Sequence, residues 1–191
     1  MNNLKLSAQF PGGCYIGFNA AIDRKSAEQF VMFASDMKNN GFNEINICLN
    51  SIGGILDQAY YTFNMIEAID IKIITWNMGN IQSAANIIYL CGDKRYATPN
   101  STFFFHQTGY DPPTVRITED FLAERLKAAQ YDDNRSAQII ASKTNKSIRD
   151  VRDWQNDEVV MNADAAVIHS ISHEIRTLSI PNNAFFIQIQ I

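Results

Sequence analysis

Apolar positions along the chain fall into two alternating rhythms. Residues 14–23, "CYIGFNAAID", form a strand-like run that ends in a turn. Ala27, Phe30, Val31, Ala34 and Met37 then recur at helical spacing, which predicts a helix over about Arg24 to Asn40, with Gly41 where a helix commonly stops. The segment "EINICLN" at 44–50 places Ile45, Ile47 and Leu49 on one face of a strand and runs into the glycine turn "SIGGI" at 51–55. Leu56, Ala59, Tyr60, Phe63 and Ile66 mark a second helix, and "IKIITW" at 71–76 a short strand. A third helix is expected from near Ser83 and a strand pair over about Arg95 to His106. A long amphipathic helix is expected over about Thr118 to Lys143, through Phe121, Leu122, Leu126, Ala129, Ile139 and Ile140. Strands separated by helices imply parallel crossovers and a layered α/β fold, in which sites collect where strands end.

Composition narrows the partners. The chain has 191 residues, 46% hydrophobic and 19% charged, which suits an ordinary globular domain with a core of useful size. Its net charge of −4 comes without any basic cluster, so no nucleic acid is expected as a partner. No apolar run approaches the roughly 20 residues that span a bilayer, and the opening "MNNLKLSAQFPGG" lacks a signal-peptide core; the expected location is cytoplasmic, with no membrane partner. Cys14, Cys48 and Cys91 lie far apart with no CxxC spacing and read as buried thiols in a reducing compartment.

Two strand ends carry unusual chemistry. Gly53 and Gly54 have no Cβ, so their backbone N–H groups can approach a ligand closely. Ser83, in "MGNIQSAANIIYLCG", stands at an expected helix start, where unpaired N–H groups favour negative charge. A glycine-turn N–H beside the N–H of Ala84 is the arrangement that holds the oxyanion formed when a serine attacks a carbonyl. The serine then needs a base, and of the three histidines, His106 ends the apolar strand "STFFFHQTG". His169 and His173 lie in "HSISHEI" and, if helical, would form an i, i+4 pair with no third ligand motif, so no metal is assigned. Each feature also has a plain reading: a helix N-cap, a turn, a structural histidine.

The order of the whole set resembles the Clp protease proteolytic subunit family. "NSIGG" at 50–54 is similar to that family's Asn-Ser-Pro-Gly-Gly, "GNIQSAAN" at 79–86 stands at its nucleophile turn, and "PNSTFFFHQTG" at 99–109 resembles its histidine segment. "TNKSIRDV" and "NADAAVIHSISHEI" follow in the family order, so the resemblance spans about residues 14 to 175. It implies a crotonase-like α/β fold of repeated ββα units, with a protruding helical handle over about 118–143. The domain would cover residues 1–176, followed by a tail at 177–191. It also implies a serine endopeptidase that cleaves unfolded polypeptides or peptides without a cofactor. By carry-over, Ser83 is the nucleophile, His106 the general base, and the N–H groups of Gly54 and Ala84 the oxyanion hole. The family's acid aligns on Glu158, with Asp157 adjacent. The implied partners are further copies of this chain in a heptamer or double heptamer, and an AAA+ unfoldase.

Several positions depart from the family pattern. Ile52 replaces a proline, Ile81-Gln82 replace two alanines before the serine, and Ala84 and Asn86 replace a methionine and a small residue after it. Substrate preference is therefore expected to differ. Two other functions fit parts of the pattern: a crotonase-like enzyme acting on a coenzyme A thioester, and a catalytically degenerate ring subunit. The closing "FFIQIQI" alternates like a half-buried strand, which suits pairing with another chain or docking on its own.

Overall fold

A computed structural model describes residues 5–111, 114 and 116–190. A short helix, α1 (Leu6–Gln9), precedes the first strand, β1 (Cys14–Asn19). Helix α2 (Arg24–Asn39) starts where expected because Asp23 caps it: its side chain accepts the Ser26 N–H at 2.8 Å while Ser26 Oγ accepts the Asp23 N–H at 3.0 Å. It ends at Gly41, whose φ of 88° is open to glycine and strained for most other residues. Strand β2 (Glu44–Ser51), helix α3 (Leu56–Ile69) and strand β3 (Lys72–Gln82) follow.

Parallel pairing fixes the layer. β1 pairs with β2, Ile16 opposite Ile47, and β2 pairs with β3, Ile47 opposite Thr75. Each strand buries both faces, as parallel sheets require. Phe18 on β1 meets Phe30 on α2 edge to face at 5.8 Å, and Ile45, Ile47, Leu49, Ile73 and Ile81 complete the interior.

β3 is longer than its apolar run predicts, continuing through Gly79 to Gln82. This explains why the strand pair expected over 95–106 does not form. β4 (Lys94–Ala97) and β5 (Thr102–Phe104) do not pair with each other; both lie parallel to β3, β4 along Ile74–Asn77 and β5 along Asn80–Gln82. The helix between, α4, is only Ala85–Tyr89. The long helix α5 (Glu119–Lys143) begins at its cap Thr118, as expected. It leads through α6 (Ile148–Asn156) to β6 (Val160–Asn162), which returns antiparallel to β5. After α7 (Ala163–Ile168), β7 (Glu174–Ile175) pairs with β4, and β8 (Phe185–Gln188) lies parallel to β1 at the sheet edge, Cys14 opposite Phe185. The closing alternation is thus a strand docked on its own chain. Among the described residues no helix is long and apolar enough to cross a membrane.

One buried cation ties the end of the handle to the sheet. Arg95 on β4 is 6% exposed and donates to four carbonyl oxygens: Ile171 from Nε at 2.8 Å, Gly92 from Nη1 at 3.2 Å, and Lys143 and Ser170 from Nη2 at 2.9 and 3.1 Å. Arg95→Met leaves these acceptors without donors and is expected to lower stability by about 3 kcal/mol or more, read as a reduced midpoint in urea.

The cysteines are free thiols. Burial pushes Cys14 up to about 12 and Cys48 up to about 11, and raises Cys91 as well, so all three stay protonated at neutral pH.

Candidate active site

β3 delivers Ser83 to the sheet end in an unusual conformation. Its φ is 53°, left-handed backbone for a residue with a side chain, and α4 has no side-chain cap bond at its N-terminus. The N-cap reading of this serine therefore fails: α4 begins beyond it, with Ala84 at the cap position. Main-chain bonds hold the turn instead. Ser83 N–H donates to Phe104 O at 3.0 Å, and Asn86 N–H donates to Ser83 O at 3.1 Å. The buried Asn86 side chain adds a cross-link, its Nδ2 donating to Ser83 O at 3.1 Å and to Phe104 O at 2.9 Å.

The glycine turn lies against this elbow. Gly53 has φ 88°, and a Cβ there would sit 2.7 Å from Gln82 O and 2.8 Å from Ser83 Cβ. Gly54 has φ 149°, and a Cβ there would meet Ile22 O at 2.2 Å. Two hydrogen bonds pin the turn to the segment between β1 and α2: Ile22 N–H to Gly53 O, and Ile55 N–H to Ile22 O, both at 2.8 Å. Among the described residues, neither the Gly54 N–H nor the Ala84 N–H donates to a protein acceptor. Ile52, standing where a proline was expected, is 69% exposed, so its loss of a fixed φ is compensated by those pins rather than by burial.

His106 follows β5 and lines the same open cleft as Ser83 and Gly54, a space of about 680 Å³ that Tyr110 and Asp132 also border. Its ring stacks on Phe104 at 5.2 Å. The chain just beyond it is fixed to the handle: Thr108 N–H donates to Asp133 Oδ1 at 2.7 Å, and Arg152 of α6 pairs with Asp133 Oδ2 at 3.0 Å. The ring makes no hydrogen bond to Ser83, Glu158 or Asp157 among the described residues.

The register of β5 and β6 bears on Glu158. β5 and β6 pair Phe103 with Met161 and Phe104 with Val160, and the next bond runs from Phe105 N–H to Val159 O at 3.0 Å. Carried one step further, that register would bring His106 opposite Glu158. Glu158 itself has φ 51° and is exposed, at the turn from α6 to β6. Asp157 closes α6 as its C-cap and is one residue out of that register.

The other histidines are placed elsewhere. His169 is edge-on to Trp154 at 5.3 Å, and burial lowers its pKa; His173 Nδ1 accepts the Arg95 N–H at 3.0 Å, and burial together with Arg95 and Lys94 lowers its pKa. They follow the end of α7 rather than sharing a helical face. Among the described residues no three His, Cys, Asp or Glu side chains group to hold a metal.

A sharp strand-to-helix serine beside a double-glycine turn, with a histidine strand in the next sheet position, can be set against known proteins. The family model for Clp protease matches residues 10–177. The chain belongs to the Clp protease family. This makes it a peptide hydrolase by family. It is 27% identical over 158 residues to "ATP-dependent Clp protease proteolytic subunit 2" of Pseudomonas aeruginosa, covering 81% of this chain and 76% of the relative. It is 26% identical over 159 residues to the protein of the same description from Treponema denticola, covering 82% and 76%. Among solved structures, a point mutant of ClpP1 from Listeria monocytogenes superposes with a TM-score of 0.76 at 21% identity, over 85% of this chain and 90% of that one, which establishes the shared crotonase-like α/β fold. The family match stops at residue 177, so β8 is an addition to the matched region.

Sequence reasoning named Ser83, His106 and the glycine turn, of which the structure places Ser83, His106 and Gly54 on one cleft. It treated Asn86 only as a departure from the family; the signal for its buried role was a polar residue three positions after the serine, inside an otherwise apolar run.

Proposed function

We propose that this Clp protease family member is a serine endopeptidase working through Ser83, His106 and Glu158. The observation that carries this reading is the conformation of Ser83: a non-glycine residue held at φ 53° with its hydroxyl unspent on capping, next to two undonated N–H groups and in one cleft with His106. Strain of this kind costs about 1–3 kcal/mol and is retained where geometry serves function.

The chemistry follows from those groups. His106 takes the proton from Ser83 Oγ as the oxygen attacks the scissile carbonyl carbon, and the negative charge on the carbonyl oxygen is held by the N–H groups of Gly54 and Ala84. The imidazolium then gives its proton to the leaving amine nitrogen, and the C–N bond breaks. Water attacks the acyl-enzyme with His106 again as base, the acid product leaves, and the proton returns to Ser83. Glu158 stabilises the imidazolium. Catalytic hydrogen bonds often close only when substrate is bound, which accounts for a ring that stacks on Phe104 beforehand.

Register favours Glu158 over Asp157 as the acid. Glu158→Gln is expected to lower kcat by about 10²-fold or more with KM nearly unchanged, whereas Asp157→Asn leaves both within about twofold. Peptide hydrolysis by the two purified variants checks this; the reverse order would reassign the acid.

We further propose assembly into heptameric rings, in the cytoplasm, fed by an AAA+ unfoldase. Exposed apolar residues on the handle support the assembly: Leu122, Leu126 and Tyr131 are 58%, 61% and 69% exposed. Charging that face, with Leu122→Asp and Leu126→Asp together, is expected to cut the mass seen by light scattering to that of a single ring or less. A native protein of monomer mass would contradict assembly.

A further inference from the structure

A carboxylate lies buried in the middle of α5, where the handle packs on α6, and the mechanism makes no use of it. Asp133 is 4% exposed. Its Oδ1 accepts the Thr108 N–H at 2.7 Å, and its Oδ2 pairs with Arg152 Nη1 of α6 at 3.0 Å. The same Nη1 donates to Gln155 Oε1 at 3.1 Å, Gln155 Nε2 donates to Ser136 Oγ at 2.8 Å, and Ser136 Oγ donates to Asp133 O at 3.0 Å. The ring of bonds closes on the residue where it began. Its direction is fixed all the way round, because an arginine only donates, which turns the Gln155 oxygen toward Arg152 and its NH₂ toward Ser136. A fully paired network of this kind is rigid. As a source of stability a buried ion pair is poor, since apolar side chains of the same volume often do as well. What it supplies here is a fixed point.

Two parts of the site are attached to that point. One is the segment that carries His106. β5 ends at Phe104 and Phe105 N–H still bonds Val159 O, but beyond it the chain is held by Gln107 Nε2 on Asn156 Oδ1 at 2.7 Å, an exposed contact, and by Thr108 N–H on Asp133. The bond to a carboxylate paired with arginine is the stronger of the two. The other part is α6, which runs through its C-cap Asp157 into Glu158. Thr108, Ser136 and Gln155 line a small space together with Ser83 and His106, so the network abuts the site directly.

We infer that Asp133 is a positioning residue for the reaction: held by Arg152, it places His106 against Ser83 by accepting the Thr108 N–H, and sets the base-bearing segment and the acid-bearing helix at one separation. The inference rests on the serine-peptidase reading of the same site. Asp133 acts through His106. With the acceptor gone, the segment after His106 loses its inner anchor, and a shift of the base by about 1 Å lowers turnover sharply, while the cleft wall formed by Ile52, Ile55 and Leu56 is untouched.

The test compares two double variants of the full-length protein, Asp133→Ala/Arg152→Gln and Asp133→Asn/Arg152→Gln. Both remove the two charges together, so neither strands a buried cation, and they differ in whether Thr108 N–H keeps an acceptor. In steady-state hydrolysis of a fluorogenic peptide, the alanine variant is expected to lose at least about tenfold in kcat with KM within about twofold, and the asparagine variant to recover to within about threefold of the unmodified protein. Should the alanine variant not fold, Asp133→Leu/Arg152→Gln, which fills the same volume without an acceptor, takes its place with the same expectation. Arg95→Met, which weakens the fold outside this network, is expected to keep kcat within about twofold. Unchanged kcat in the alanine variant, equal losses in the alanine and asparagine variants, a loss carried by KM, or a similar loss in Arg95→Met would each overturn the proposal. Crystal structures of the alanine variant and the unmodified protein read the placement without catalysis: His106 is expected to be displaced by about 1 Å relative to Ser83, and an unmoved His106 would overturn the proposal. An unmodified protein that hydrolyses no peptide, beside a displaced His106 in the variant, would remove the peptidase reading and leave the placement by Asp133 standing.

Discussion

Ser83→Ala is expected to lower kcat for peptide hydrolysis by about 10⁶-fold, with KM and thermal midpoint close to those of the unmodified protein. The expected effect is large because in the proposed mechanism the hydroxyl is the attacking group, and the other members of a triad cannot substitute for it. Stability is spared because the Ser83 side chain holds nothing: it caps no helix, and the turn is fixed by the Ser83 N–H on Phe104 O and by Asn86 on Ser83 O, bonds that alanine keeps. Surface-type substitutions of this sort usually stay within about 0.5 kcal/mol. A steady-state assay on a fluorogenic peptide together with a thermal melt reads both quantities. A variant with half the original activity would mean that Ser83 is not the nucleophile.

Gly53→Ala is expected to cost at least about 10²-fold in kcat while the protein remains folded. The added methyl would lie 2.7 Å from Gln82 O, 2.8 Å from Ser83 Cβ and 3.2 Å from Ala84 N, so the contact falls on backbone that has to shift. The φ of 88° adds strain. Relief moves the elbow away from the glycine turn, which separates Ser83 from the N–H groups of Gly54 and Ala84; a misplacement of about 1 Å is enough for a 10²-fold loss. Circular dichroism and a urea titration should show a fold retained with a loss of about 1–3 kcal/mol. Unchanged activity would show that the turn and the serine act independently.

Much of the sheet was legible because its signals are local. The apolar face of α2 and the stop at Gly41 lie within and just beyond one helix, and Ile45, Ile47 and Leu49 mark β2 by simple alternation. The segments that were misread depend on distant partners. β4 and β5 are short, and nothing within 94–104 indicates that both pair with a β3 extended through Gly79. Arg95 looks like a surface charge in the sequence and is a buried pin, because its four carbonyl acceptors come from three separate places in the chain, Gly92, Lys143 and the adjacent pair Ser170 and Ile171. At the site, residue types and their order pointed to Ser83 and His106, but the left-handed φ of Ser83 and the register that runs toward Glu158 arise only once β3, β5 and β6 are side by side. Asn86 is the same kind of case: its amide joins two strand ends, and its unsatisfied oxygen exists only in the packed state.

The altered neighbours of the serine also bear on the rival functions. Gln82 and Asn86 do not fill the cleft, since Gln82 ends β3 beside Phe104 and Asn86 braces the elbow from behind. A degenerate subunit would have no use for a strained serine with two free N–H donors. A thioester enzyme would use the donors and ignore the serine and the histidine.

The most direct measurement is labelling of the folded, assembled protein with a fluorophosphonate probe, followed by peptide mapping. A working elbow predicts a single phosphonylated residue, Ser83, with labelling lost in His106→Ala. Folded protein that takes up no probe at Ser83, or labels equally without His106, would contradict a serine nucleophile activated by that histidine.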